Sequence, residues 1–322
     1  MLRVYLQLIF MVVLWSFSFV IVDIAVEFIP PLSIALYRFV IASISFLLID
    51  IYFKLKKKRQ ITSISKIKTN YSKNDWLLLI LASFTGISFF FLFQYSSIEI
   101  IGPSLPALFV CLITPVIITI LALFFFKEKL NFFKILGFVI ATIGGFLLVT
   151  GGDINSLSPD SPNFLGYLFA LLTPILWAIY STTTKIVSKK NSTSTNTMNK
   201  YIAYIGTLEL VIFVIINGEI FIFIQNFFNI SLFLCAIYLG FGCYVIGYYI
   251  WQNSQKVLKS LNVASFLYIE PFLTLIFSLL FQRSETIVLW NLIGGIIVLI
   301  AVLIINYEKK EKRKDYIRLF YF

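Results

Sequence analysis

The stretch FFKILGFVIATIGGFLLVTGG, residues 132–152, carries a single charge, Lys134. The hydrocarbon core of a bilayer is about 30 Å thick and a helix rises about 1.5 Å per residue, so roughly 20 apolar residues cross it. Met1–Val22, charged only at Arg3, is a second run of that length. Across 322 residues, 60% are hydrophobic, 13% are charged and the mean hydropathy is +0.94. A soluble domain is closer to half apolar and a quarter charged. The chain reads as an all-α membrane protein.

Working outward from that stretch, ten transmembrane helices are expected at 4–22, 32–53, 76–96, 104–126, 133–150, 164–184, 201–217, 231–251, 260–281 and 287–305. Pro30-Pro31, Pro103, Gly151-Gly152 and Ser156–Pro162 break the chain where loops are needed. No small-residue cleavage site follows Val22, so the first run is expected to stay as a helix rather than be removed. Charge placement gives an independent check, because cytoplasmic loops collect Lys and Arg. With both termini inside, 24 of the 26 basic residues fall on the cytoplasmic face. They cluster at Lys54–Lys73, Lys127–Lys134, Lys185–Lys200, Lys256–Lys259 and Lys309–Arg318. Only Arg38, within a span, and Arg283 fall elsewhere. The expected location is the cell membrane. The net charge of +11 therefore sets topology and meets anionic lipid headgroups, and nucleic acid is not an expected partner.

Several chemistries find no support in the sequence. There is no histidine, the commonest general base and metal ligand. Cys111, Cys235 and Cys243 lie in apolar runs without a CxxC pair, so neither a disulfide framework nor a metal site is implied. No GxxxxGK[ST] phosphate loop occurs. No cofactor is expected, and no catalytic cluster marks an enzyme.

The two halves resemble each other. Leu14-Trp15-Ser16 matches Leu176-Trp177-Ala178 at an offset of 162, Pro115 matches Pro271 at 156, and Gly137 matches Gly294 at 157. A duplicated unit of five helices has an odd number of spans, which inverts the second copy. Inverted repeats are an architecture of secondary transporters, with substrate near the midplane. The expected units are 1–152 and 153–322, the second ending in the basic tail.

These residues also resemble the drug/metabolite transporter superfamily, specifically its EamA-type exporters. The resemblance rests on Leu14-Trp15-Ser16 with Phe19, on Leu36-Tyr37-Arg38-Phe39 after Pro31, and on Pro115 to Phe126 followed by Lys127-Glu128-Lys129-Leu130, Gly137 and Gly144-Gly145. It recurs weakly as Glu270-Pro271, Glu285 and Gly294-Gly295. Glu128 follows Pro115 by 13 residues whereas Glu285 follows Pro271 by 14, so the second copy departs by one residue. The resemblance implies an inverted-repeat bundle exporting amino acids or similar metabolites.

Ionisable residues inside spans are the first candidates for function, because each carries an insertion cost of about 2.5–3.5 kcal/mol at a helix centre. Arg38 is expected either to bind a substrate carboxylate through two parallel hydrogen bonds, or to reach the outer interface or pair with an acid. Glu209 and Glu270 are candidates for proton coupling, for binding a substrate amine, or for neutralising Arg38. Pro115 and Pro271 are expected helix kinks, and the freed carbonyl beside Pro271 favours Glu270 as a cavity residue. Trp15, Trp177, Tyr180, Tyr244 and Tyr248 are candidate cavity walls. Trp76, Trp251 and Trp290, near span ends, fit interface anchors. Asp50 is expected to pair with Lys54. Gly137, Ala141 and Gly145 form a small-residue stripe, read as a packing seam against the tenth helix or as a dimer interface. Monomer and homodimer both remain open. A small-molecule exporter or exchanger leads, with a nucleotide-sugar transporter and a membrane-embedded enzyme as alternatives.

Overall fold

In hydrocarbon, backbone N–H and C=O groups must be satisfied within the chain, which restricts a spanning segment of this kind to helix. The computed structural model describes residues 2–59, 71–127, 131–150, 164–190, 194–283 and 289–306, and among them there is no strand. Ten long helices follow in order: α1 (Leu2–Ala25), α2 (Pro31–Arg59), α3 (Lys73–Ile101), α4 (Ser104–Phe126), α5 (Phe132–Thr150), α6 (Phe164–Lys190), α7 (Thr195–Ile216), α8 (Ile230–Val257), α9 (Ser260–Leu280) and α10 (Leu289–Asn306). A short helix, Ile220–Asn226, joins α7 to α8. Eight of the ten are long and apolar enough to cross a membrane, and α5 contributes a shorter apolar helix, Phe132–Leu147. Helices α2, α6, α7 and α8 overrun the expected spans by about six residues at their basic ends. Apolar runs stop at the first charges, whereas helical hydrogen bonding continues into the headgroup region.

Local chemistry sets the ends. Ser72 and Asp75 close a capping box on α3: Ser72 Oγ accepts from Asp75 N–H at 3.3 Å, and Ser72 N–H donates to Asp75 Oδ2 at 2.9 Å. Gly102, at φ 75°, ends α3 immediately before Pro103 and α4. The Asn229 side chain accepts from the N–H groups of Ser231 and Leu232 and starts α8.

Packing follows one scheme used twice. Helix α1 lies against α8 and α9, and α6 lies against α3 and α4. Helix α2 packs on α8, α7 packs on α3, and α2 and α7 meet each other. Helix α5 packs extensively along α10. Exchanging helices one to five for six to ten reproduces this pattern, so the bundle is two repeats of five helices. Its main core occupies the space among α1–α4 and α6–α9, and a smaller core lies among α4, α5, α9 and α10.

Two expectations change in detail. Asp50 pairs across helices with Lys200 of α7, at 2.8 Å, because α7 runs alongside α2 at that end. The small-residue stripe divides. A Cβ at Gly137 would lie 2.5 Å from Ile305, and one at Gly144 would lie 2.6 Å from Ile297, both on α10. At Gly145 it would meet Leu112 of α4 at 2.2 Å. Helical rotation accounts for this: positions 137, 141 and 144 share one face, and position 145 is turned toward α4. Arg283, the basic residue outside the basic clusters between spans, binds Asp23 and Glu27 at the end of α1. The segments 128–130, 151–163 and 284–288, with Glu128 and Glu285, lie outside the described residues.

Ala141 is fully buried in the smaller core. Ala141→Leu should therefore overpack the α5–α10 contact and cost about 1–3 kcal/mol, read as a lower thermal-unfolding midpoint in detergent. Val139→Leu on the exposed face of the same helix should leave the midpoint unchanged.

Candidate functional site

A guanidinium within a span needs protein partners, and the site can be built from those that Arg38 finds. Arg38 is 3% exposed. Its Nη1 donates to Tyr95 Oη of α3 at 2.5 Å and its Nη2 donates to the Leu239 carbonyl of α8 at 3.0 Å. The Phe91 ring centre lies 4.2 Å from the guanidinium carbon, a cation–π contact. Nε has no hydrogen-bond partner among the described residues. Arg38 thus neither reaches an interface nor pairs with an acid among the described residues, because α3 and α8 close over it.

The Leu239 carbonyl is available because α8 is not a regular α-helix. Residues Tyr238–Tyr248 form a π-helical stretch, whose wider turns move carbonyls out of their usual i→i−4 register. Two carbonyls of this stretch hold cavity residues: Leu239 takes Arg38, and Cys243 takes the Trp15 indole N–H at 3.0 Å. Two glycines admit those residues. A Cβ at Gly240 would sit 2.3 Å from the Arg38 carbonyl, and one at Gly247 would sit 2.4 Å from Trp15 Nε1. Helix α3 has its own π-turn, Phe84–Ser88, in which the Gly86 carbonyl accepts from Tyr248 Oη at 3.1 Å.

Glu270 approaches from α9, where a 3₁₀ turn, Ser265–Ile269, gives way to α-helix at Glu270-Pro271. Pro271 has no N–H to continue the ladder, so the helix changes type there. Helix α4 continues through Pro115. Glu270 is 3% exposed and accepts from Cys111 Sγ at 3.3 Å.

Arg38 and Glu270 both line one cavity with about 400 Å³ of empty space, including its mouth. No bond joins the two charges among the described contacts. The walls between them are aromatic. Trp15 and Trp177 meet edge to face at 5.4 Å, and Tyr248 packs on both at 5.7 and 5.2 Å. Phe90 and Phe91 complete the wall, and Gln94 and Ser18 contribute polar groups.

Of the residues singled out in the sequence, the fold brings Trp15, Arg38, Trp177, Tyr248 and Glu270 to this cavity. Tyr180 and Tyr244 stand behind Tyr248, at 5.5 and 4.3 Å, and do not line it. Glu209 lies away from it, at the contact of α7 with α3. Trp251 is not an interface anchor: it is fully buried, donates to Ser181 Oγ at 3.2 Å and packs on Trp15 and Trp177. Helix α8 extends past it to Val257, so its apparent position at a span end disappears. Tyr95, Gln94, Phe90 and Phe91 were missed. The polar pair Gln94-Tyr95 within the apolar run Phe89–Ile101 was the available signal.

A family model, the EamA-like transporter family, matches residues 2–150 and 164–307. The chain belongs to the EamA-like transporter family. Among its curated relatives, an uncharacterized transporter of Archaeoglobus fulgidus is 24% identical over 311 residues, covering 96% of this chain and 99% of that one. The Bacillus subtilis protein named uncharacterized transporter YyaM is 24% identical over 318 residues, covering 97% and 98%. An uncharacterized transporter of Buchnera aphidicola is 29% identical over 266 residues, covering 81% and 79%. A solved crystal structure shares the fold at a TM-score of 0.68 and 15% identity, covering 94% of this chain and 97% of that chain. This EamA-like protein is thus a multi-pass membrane transporter.

Tyr95 touches the Arg38 guanidinium without being in the lining itself. Tyr95→Phe keeps the ring and removes the acceptor, a hydrogen bond to a charged group of about 1.5–3 kcal/mol. Substrate affinity should fall roughly 10- to 100-fold, whereas Tyr204→Phe on α7 should leave it unchanged. Equilibrium binding to protein in nanodiscs checks both.

Proposed function

We propose that this transporter exports or exchanges amino acids or similar zwitterionic metabolites across the cell membrane by alternating access. The observation that carries this reading is the pairing of opposite charges across one cavity: Arg38 and Glu270 face the same space and do not neutralise each other. An α-amino acid places a carboxylate and an ammonium on one carbon. The guanidinium, which lines the cavity with N–H donors not committed to Tyr95 or Leu239, suits the first. The carboxylate of Glu270, with only a thiol as donor, suits the second. The aromatic wall of Trp15, Trp177, Phe90 and Phe91 suits an apolar side chain. A nucleotide sugar would bring two phosphate charges, and Arg38 is the one cation among the lining residues.

The moving parts in this reading are the halves 1–152 and 153–322, inverted in the membrane with both termini cytoplasmic. Two features support it: the exchange symmetry of the helix contacts and the clustering of basic residues. Reporters fused at Lys58 and Asn191 should read cytoplasmic, and those at Asp160 and Glu219 should read external. A cytoplasmic reading at Asp160 would overturn the inversion.

Substrate recognition is tested with three ligands of one shape: phenylalanine, its amide and 3-phenylpropionate. Wild-type protein should prefer phenylalanine over each analogue roughly 10- to 100-fold, the scale of one charge-assisted hydrogen bond. Arg38→Gln should abolish the preference over the amide, and Glu270→Gln the preference over 3-phenylpropionate. Equal affinity of wild type for all three, or binding of a nucleotide sugar in their place, would remove the zwitterion reading.

A further inference from the structure

Glu209 has a setting that the cavity does not explain. It extends from α7 to two fully buried serines of α3, Ser83 and Ser88, which flank and end the π-turn Phe84–Ser88. Ser88 Oγ donates to Glu209 Oε2 at 2.5 Å. Ser83 Oγ lies 2.8 Å from Glu209 Oε1 and also 2.8 Å from the Ile80 carbonyl, in donor geometry to both. A hydroxyl has one proton, and giving a full hydrogen bond to one acceptor weakens the other. If Glu209 is a carboxylate, Ser83 turns its proton to Oε1 and leaves Ile80. If Oε1 carries a proton, the acid donates to Ser83 Oγ, Ser83 donates to the Ile80 carbonyl, and both contacts are hydrogen bonds at once.

Among the described residues, the surroundings supply no cation that would hold the charge. On α2 and α7, Lys200 and Asp50 pair with each other, and Tyr201 and Tyr204 lie toward that end. At the opposite end, Glu219 accepts from Ser33. On α8, Lys256 donates to Thr195, Tyr244 to the Asn199 carbonyl and Tyr248 to the Gly86 carbonyl. Arg38 binds Tyr95 and Leu239. Glu209 sits between Leu208 and Ile212, which are 66% and 55% exposed on a helix that faces hydrocarbon. A charge at that boundary is costly, and a bound proton removes it.

We infer that Glu209 is a proton-binding site, separate from the cavity, whose occupancy is relayed to the cavity wall through the π-turn of α3. The link is Gly86, at the middle of that turn. Its carbonyl holds Tyr248. The Tyr180 ring occupies the place of a Cβ there, 2.1 Å away, so the turn cannot shift without moving Tyr180. Tyr180 and Tyr248 both pack on Trp177. Turning Ser83 between Oε1 and Ile80 changes the hydrogen bonding where the wide turn begins. Glu209 and Glu270 then divide the work, one taking the proton and the other the substrate amine. That division rests on the transport reading above, whereas the proton site itself does not.

The test uses full-length protein in nanodiscs without substrate, in a background carrying Trp76→Phe and Trp290→Phe. Emission then comes from Trp15, Trp177 and Trp251. Titrating pH should give a transition in emission that is absent in Glu209→Gln and present in Glu270→Gln. Tyr248→Phe should lose the emission change but keep proton uptake, seen as a carboxyl infrared band that is absent in Glu209→Gln. Ser83→Ala is the second variant should Glu209→Gln fail to fold, and it should move the titration midpoint by about one pH unit. An unaltered transition in Glu209→Gln, its loss in Glu270→Gln alone, or an unmoved midpoint in Ser83→Ala would overturn the assignment. A wild-type titration in protein that binds no amino acid would instead sink the substrate reading and leave the proton site standing.

Discussion

A guanidinium placed inside a bilayer has to be satisfied by protein, and the central part of this bundle is organised around that requirement. Arg38 takes a phenol from α3, a carbonyl from α8 and a ring face from Phe91. No one helix supplies all of them, so α2, α3 and α8 are fixed relative to one another by a single side chain. Because α3 and α8 occupy corresponding places in the two repeats, the charge also ties the repeats together. Those contacts take two of the five N–H donors of the guanidinium, so the residue that organises the packing still has hydrogen bonds to offer.

The carbonyls that meet this need come from irregular helix. A straight α-helix has none to spare in its middle, since each is bound four residues on. The π-helical stretches of α3 and α8 release them, and Leu239, Cys243 and Gly86 bind Arg38, Trp15 and Tyr248 respectively. Each release is matched by a glycine against which another element packs: Gly240 against α2, Gly247 against the Trp15 ring, and Gly86 against the Tyr180 ring. Local irregularity and close approach are thus two aspects of one arrangement.

The helical class and the approximate spans could be read from the sequence because the bilayer imposes a length and a polarity that composition records directly. The overrun of α2, α6, α7 and α8 could not, since an apolar criterion stops at the first lysine. Arg38 and Glu270 stood out as charges in the wrong solvent, and the Trp15 and Trp177 pair stood out through the repeat. Tyr95, beside Gln94, gave only a weak signal and the π-stretches none: a tyrosine in a chain that is 18% aromatic, or a glycine in a span, has several ordinary explanations. Trp251 was misread because its place relative to a span end depended on where α8 stops. The small-residue stripe was legible as a seam but not as a branch point, because the direction of Gly145 toward α4 depends on how three helices are rotated.

The sequence separation of these contacts bears on how the protein is made. Trp15 binds a carbonyl 228 residues further along the chain, and the Leu239 partner of Arg38 lies 201 residues on. Translation proceeds at about 5–20 residues per second, so α1 and α2 wait roughly 10–50 seconds for α8. During that interval Arg38 has its α3 partners within earlier reach, the Phe91 ring and Tyr95, the latter 57 residues away. The nascent first repeat can therefore shelter its guanidinium on α3 while the rest of the chain is still being synthesised. The shape of the first five helices is provisional until the second repeat arrives to complete it.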